Sequence, residues 1–283
     1  MSVPALSTLI IEPIVRAALL EDLGRAGDIT TDAVVPGDAT AETSLVARAS
    51  GLVAGLDLAL LAFKLVDPAI VANVQRPDGS SLASGDVIAS VAGPARGILT
   101  AERVALNFLC HLSGIATATA KIVEAVRGHR ARITCTRKTT PGLRAVQKFA
   151  VRVGGGANHR FGLDDAVLIK DNHIAAAGGI RPAVERVRAG IGHLVKVEVE
   201  VDTLAQLEEA LAVRVDALLL DNMHPEELRR AVAMVAGRAI TEASGGVTPA
   251  TAPAIAATGV DLISIGWLTH SVTALDIGLD YQV

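Results

Sequence analysis

The rhythm of the chain after residue 130 constrains its fold more than any other feature. Short runs rich in β-branched residues and leucine alternate there with helical runs. The strand runs are "RITCT" (132–136), "AVLIK" (166–170), "VKVEVEV" (195–201), "DALLLD" (216–221), "RAITEA" (238–243) and "DLISIG" (261–266). Helical patterns fill 142–153, 180–189, 203–212, 225–236 and 249–257, and Thr203, "HPEEL" and Thr248-Pro249 mark helix starts. Such βα steps indicate a parallel sheet with crossover helices, because parallel strands cannot be joined by a tight turn. Six strands, or seven with an irregular one, fall short of the eight of a closed barrel. The expectation is an incomplete α/β barrel, with an open doubly wound sheet as the alternative.

In a βα barrel the carboxyl ends of the strands carry the chemistry. The first strand runs into Arg137 and Lys138, and the second ends at Lys170, Asp171 and Asn172. The third ends near Glu200 and Asp202, the fourth at Asp221-Asn222, the fifth at Glu242 and "SGG" (244–246), the sixth at Gly266. One charge at a strand end is ordinarily a solvated charge; the repetition is the signal. Strict alternation in "VKVEVEV" puts Lys196, Glu198 and Glu200 on one face. We expect Lys196 and Glu198 to neutralise each other and Glu200, nearest the exit, to meet ligand or metal. Asp221 should lie close to Glu200 on the adjacent strand. Two such carboxylates can share Mg2+ or hold sugar hydroxyls, or they form a structural hydrogen-bonding pair. "SGGVTP" supplies a glycine turn and a helix start, both suited to phosphate. "GGGANHR" (154–160) is either a flexible turn or a loop that places His159 and Arg160 over a ligand.

The first hundred residues are mixed and strand-rich. An amphipathic helix is expected over 9–23, a loop at "GRAGDITTDAVVPGD", a strand and turn in "AETSLVARASGLVAGL" and a short helix over 56–66. Short strands broken by "PDGSS" and "ASGD" follow from 69 to 98, then a long helical pattern from about Thr100 to Arg127. Half of the 283 residues are apolar, so a sizeable core is available although only six are aromatic.

Charge is unevenly placed. Residues 130–170 hold nine basic residues against Asp164 and Asp165, a net +7 in a chain of net −4. The densest part is "TRKTTPGLR" (136–144). A positive field inside a negative molecule suits an anionic ligand. The overall charge argues against duplex nucleic acid, and the scarcity of aromatic rings against single strands. Cys110 and Cys135 form no CxxC pair and fit a reducing cytoplasm; Cys135, within a strand, is expected to be packed rather than nucleophilic. The seven histidines show no HxH or HExxH spacing, which argues against a histidine zinc site. Neither GxGxxG nor GxxxxGK[ST] occurs. The N-terminus does not read as a signal peptide and no apolar run approaches a membrane span, so a soluble intracellular protein is expected.

Taken together, "TRKTTPGLR", "QKFAVRVGGGANHRFGLDDAVLIKDNH", "VEVEVD", "LLLDN" and "EASGG" resemble the quinolinate phosphoribosyltransferase family. The likeness extends to "EDLGRAGDITTDAVVP" and "LTAERVALNFLCHLSGIAT", nearly the whole chain, with no clear departure from the family pattern. The resemblance implies an N-terminal α/β sandwich domain over 1–112, with the tail 271–283 packing back on it, and an incomplete α/β barrel over 113–270. It implies transfer of a phosphoribosyl group from phosphoribosyl pyrophosphate to quinolinate, with loss of CO2, Mg2+ as cofactor, and a homodimer with shared sites. By the same resemblance Thr136, Arg137, Lys138, His159, Arg160 and Lys170 line the substrate site, and Arg103 serves the partner's site. Glu200 and Asp221 would hold ribose hydroxyls and Mg2+, while Ser244, Gly245, Gly246 and Gly266 would cradle phosphate. Lys138 and Lys170 are implied as the charge-stabilising groups. A nicotinate-specific relative and a non-catalytic anion-binding paralogue are the rival readings.

Overall fold

A computed structural model describes residues 3–281. The chain forms two compact units, one of Met1–Ala120, Thr139–Gly155 and Leu268–Val283, the other of Lys121–Lys138 and Gly156–Trp267. In chain order the elements are α1 (Thr8–Leu23), α2 (Ile29–Val34), β1 (Thr40–Ala47), β2 (Gly51–Leu52), α3 (Leu56–Val66), β3 (Val71–Val74), β4 (Ser81–Leu82), β5 (Val87–Pro94) and α4 (Ala95–Ala125). There follow β6 (Arg132–Thr134), α5 (Arg144–Val153), β7 (Val167–Ile169), α6 (Asp171–Ala177), α7 (Ile180–Gly190), β8 (Val197–Val201) and α8 (Leu204–Ala212). The last are β9 (Ala217–Asp221), α9 (Pro225–Val235), β10 (Ile240–Ser244), α10 (Ala252–Ala256), β11 (Leu262–Ser264) and β12 (Ile277–Tyr281).

The first unit is an α/β sandwich. Its antiparallel sheet has the order β12-β1-β5-β3. Helix α4 buries Ile98, Ala101, Ala105, Leu109, Leu112 and Ala116, spaced by three or four residues along one face. Contrary to the sequence expectation, α4 is long and apolar enough to cross a membrane; more than half of its apolar stretch is buried, as befits a core helix. Ser113 satisfies its hydroxyl against the same residue twice, accepting from Ala54 N–H at 3.0 Å and donating to Ala54 C=O at 3.3 Å. The tail that leads into β12 runs against α4, where Leu275 N–H donates to Cys110 C=O at 2.9 Å. Gly114 permits this approach: a Cβ there would stand 2.3 Å from the Thr273 carbonyl oxygen. Helix α5, part of the βα rhythm in the sequence, groups with this unit. Helix α2 falls within the stretch expected to be a loop. Asp28 caps it, accepting Thr31 N–H at 2.9 Å.

The second unit is the barrel. All neighbours in its sheet are parallel, in the order β6-β11-β10-β9-β8-β7. From β7 to β11 each strand lies beside its successor, and β11 returns to β6. That is the cyclic order of a barrel with one pairing missing, which removes the doubly wound alternative. No ladder joins β6 to β7 among the described residues. An irregular segment lies along β6 instead: Ala157 forms a parallel bridge with Thr134, donating to Ile133 C=O at 2.8 Å and accepting from Cys135 N–H at 3.3 Å. Two aspartates fix the register at the opposite, amino end. Asp216 accepts Val197 N–H at 2.9 Å, and Asp261 accepts the Thr241 N–H at 2.9 Å and its hydroxyl at 2.7 Å.

Candidate functional site

A cavity of about 440 Å3 occupies the carboxyl end of the barrel strands. At the exit of β6, Thr136 Oγ1 accepts Lys138 N–H at 3.0 Å, and Thr136, Arg137 and Lys138 all line the cavity. The irregular segment brings in His159 and Arg160. Its anchor is the Ala157 bridge, reinforced by the Cys135 thiol, which donates to Asn158 Oδ1 at 3.3 Å. Arg160 is held by a bond from Nη1 to Ala166 C=O at 3.0 Å. Strand β7 contributes Leu168 and Lys170, β8 Glu200, β9 Leu219 and Asp221, β10 Glu242 and Ser244, and β11 Ser264.

Charge around this wall is sorted by position in the sheet. The basic side chains come from β6, the irregular segment and β7, which flank the gap in the barrel. The carboxylates come from β8, β9 and β10. Lys170 Nζ meets Glu200 Oε2 at 2.9 Å where the two sets adjoin. Glu200 stands in register with Leu219, and Asp221 follows two residues later, so both carboxylates face the same way. Asp221 Oδ2 also accepts Asn222 Nδ2–H at 2.6 Å. Burial lowers the Arg160 pKa from its ordinary value, and the nearby Arg137 charge adds to that. Arg137 Nε is buried with no hydrogen-bond partner.

Beneath the rim lies a second cluster. His159 Nε2 meets Glu198 Oε2 at 2.9 Å and stands 3.6 Å from Glu242 Oε1. Arg160 N–H donates to His159 Nδ1 at 2.8 Å. That contact assigns the tautomer: Nδ1 accepts, so the ring proton resides on Nε2 and is offered to Glu198. The three groups bring ligand atoms within 4.8 Å of one another, close enough for a metal ion. A metal on Nε2 would require a proton on Nδ1, facing the Arg160 N–H. The hydrogen bonding therefore favours an acid–imidazole cluster over a metal centre. Glu242 is buried and its Oε1 makes no hydrogen bond. Burial, with the Glu198 charge next, pushes its carboxyl up to about 7.

The expected Lys196–Glu198 pair does not form. Lys196 precedes β8 at the amino end of the barrel and pairs there with Asp216 at 2.6 Å. Glu198 is buried, two residues further along, and serves His159. Nine expected residues share the cavity wall: Thr136, Arg137, Lys138, His159, Arg160, Lys170, Glu200, Asp221 and Ser244. Gly245, Gly246 and Gly266 follow β10 and β11 without joining that wall. Arg103 lies on α4 in the first unit with its side chain 66 % exposed, 4.0 Å from Glu102. Glu242 lacked a role in the sequence reading and Glu198 had a different one. The available signal was parity: Glu198 shares the face of Glu200, and Glu242 that of Ser244.

Comparison with known proteins agrees with this geometry. The family model described as "Quinolinate phosphoribosyl transferase, N-terminal domain" matches residues 28–113, and that for the C-terminal domain matches 115–280. The nicotinate-nucleotide pyrophosphorylase [carboxylating] of Mycobacterium leprae is 50 % identical over 273 residues, covering 94 % of this chain and 95 % of that protein. A probable nicotinate-nucleotide pyrophosphorylase [carboxylating] of Bacillus subtilis is 45 % identical over 261 residues, covering 92 % and 90 %. The crystal structure of NadC from Streptococcus pyogenes superposes with a TM-score of 0.94 at 44 % identity, covering 99 % of this chain and all of that one. With both domains matched in order and a cationic cavity in the barrel, the chain belongs to the quinolinate phosphoribosyltransferase family.

Proposed function

We propose that this cavity joins quinolinate to phosphoribosyl pyrophosphate, giving nicotinate mononucleotide, pyrophosphate and CO2, a step in NAD biosynthesis. The observation that carries the reading is the sorting of charge around the wall. Quinolinate is a dianion. Arg137, Lys138 and Arg160, beside the gap, offer guanidinium forks and an ammonium group that match two carboxylates. The carboxylates opposite suit ribose hydroxyls, and Ser244 with the glycine turn after it suits phosphate.

No protein nucleophile is required. The pyridine nitrogen attacks the ribose carbon as pyrophosphate leaves with the bonding electron pair. Positive charge builds on the sugar, so alignment and charge stabilisation dominate. The product nitrogen is a pyridinium next to the carbon bearing a carboxylate. CO2 then departs, its bonding electrons remain on that carbon beside the positive nitrogen, and the carbon takes up a proton. Lys138 and Lys170, both on the cavity wall, would balance charge during these steps. Glu200 and Asp221 supply the hard oxygen donors that Mg2+ prefers, and both belong to the same wall. When bound, Mg2+ would neutralise charge on the pyrophosphate group. We further propose a cytoplasmic homodimer in which Arg103 completes the partner's site; the two free cysteines suit a reducing compartment.

The test is product formation from quinolinate, phosphoribosyl pyrophosphate and Mg2+, with nicotinate replacing quinolinate in parallel. Equal yields of CO2 and nicotinate mononucleotide from quinolinate, and none from nicotinate, are expected. Product from nicotinate alone would move the assignment to a monoanion-specific enzyme. No product from a folded protein would favour an anion-binding role.

A further inference from the structure

Three groups meet at the floor of the cavity with one imidazole proton to share. His159 donates it to Glu198, leaving the buried Glu242 Oε1 at 3.6 Å without a hydrogen bond. Both ring nitrogens of His159 are thereby committed to protein groups, Nδ1 to Arg160 N–H and Nε2 to Glu198. Two carboxylates so close in a buried site cannot both ionise cheaply. From these contacts we propose that Glu242 is a charge-setting residue: by staying a neutral acid beside Glu198 it keeps the floor at one negative charge, so that the dianionic substrate can enter. This inference rests on the reading of the cavity as the quinolinate site.

The groups that face Glu242 act on it in both directions. On its own strand Ser244 is uncharged. From β11 comes Ser264, whose hydroxyl donates to Ala243 C=O at 3.5 Å and whose influence favours the charged form of Glu242. From β9 comes Leu219, with Asp221 higher on the wall; from β8 come Glu198 below and Glu200 in the Lys170 pair. The irregular segment presents His159 in its neutral form, and its Arg160 acts on Glu198 from nearby. His159 and Ser264 act to lower the Glu242 value and are outweighed. Desolvation and Glu198 together push Glu242 up to about 7, which places its ionisation inside the working range of an intracellular enzyme. Ionisation would add a second negative charge beneath a dianion, where repulsion is poorly screened.

The experiment is the pH dependence of the quinolinate KM at saturating phosphoribosyl pyrophosphate and Mg2+. Formation of nicotinate mononucleotide and CO2 by the wild type at about pH 6.5 is checked first, below the value of about 7 for Glu242. In the wild type KM should rise above about pH 7 with a slope approaching tenfold per unit, that of a single linked proton, while kcat changes much less. Glu242→Gln should abolish that rise, because the neutral state becomes permanent. Glu198→Gln should instead move the rise to lower pH, because the Glu198 charge that helps to raise Glu242 is gone. A merely structural role for Glu242 predicts no such effect at Glu198. A flat wild-type profile overturns the inference and needs no variant to fold. So does a folded Glu242→Gln that keeps the alkaline rise, or a folded Glu198→Gln in which the rise does not move. A wild type that makes no product withdraws the functional reading and this inference together; product with a flat profile withdraws this inference alone.

Discussion

Arg160 offers the most direct test of substrate identity at a single position. Its guanidinium is anchored at Ala166 C=O, is partly desolvated and lies near Arg137, so it is poised to gain from an incoming anion. Leaving a substrate carboxylate without its cationic partner costs on the order of 2–5 kcal/mol. Arg160→Ala should therefore lower kcat/KM for quinolinate by roughly thirty-fold to several thousand-fold. Steady-state kinetics check this, and unchanged kinetics would remove Arg160 from the site. Glu242 gives a second residue-scale prediction, for stability. Its folded value of about 7 exceeds its ordinary 4.5, so the folded state binds the proton more tightly. The stability it contributes is fully present below about 4.5 and lost as pH rises to about 7. Thermal melts of Glu242→Gln should gain on the wild type across that window; a Tm difference independent of pH would contradict the assignment. The charged rim was legible in the sequence because nearly every strand delivered a charge to one end. The Glu198 partner was not, since Lys196 and Glu198 share a face in the pattern but sit at different heights in the barrel.

At the scale of elements, the turn after β10 shows how backbone geometry restricts sequence. Gly245 has φ +95°, and a Cβ there would lie 2.0 Å from Asn222 Oδ1 and 3.0 Å from Asn222 N. Asn222 itself donates its N–H to Ser244 C=O at 2.9 Å and its side chain to Asp221. The ends of β9 and β10 are thus one interlocked piece. Gly245→Ala should displace Asn222 and with it Asp221, raising KM for phosphoribosyl pyrophosphate more than KM for quinolinate. Equal effects on both substrates would separate this turn from the phosphate side of the cavity. The barrel strands were readable because their apolar runs are short, repeated and bounded by polar residues. Helices α2 and α6 escaped because one or two turns are too short to show a period. The reach of α5 into the first unit was equally hidden, since a helix of apolar periodicity does not declare which core it joins. Gly154 records that choice: a Cβ there would meet Ala116 C=O at 2.4 Å.

For the whole molecule, the uneven charge is what links fold to function. In a chain of net −4, Arg137, Lys138, Arg160 and Lys170 line the cavity beside the gap of an unclosed barrel, and the missing pairing between β6 and β7 makes room for His159 and Arg160. Arg103 stands outside that wall, on α4, its exposed guanidinium only loosely paired. If a homodimer shares its sites, Arg103 acts in trans and Lys138 in cis. Arg103→Ala and Lys138→Ala should then each inactivate a homodimer, yet complement one another when mixed. One site of each mixed dimer would hold the wild-type Lys138 of one chain and the wild-type Arg103 of the other, while its second site carries both changes. Random re-pairing makes about half of the dimers mixed, so the mixture should recover roughly a quarter of wild-type activity. If instead each chain builds its site alone, every site in the mixture carries one change and activity stays at the level of the single variants. Measuring activity together with the fraction of mixed dimers separates these outcomes, because trans complementation must scale with that fraction.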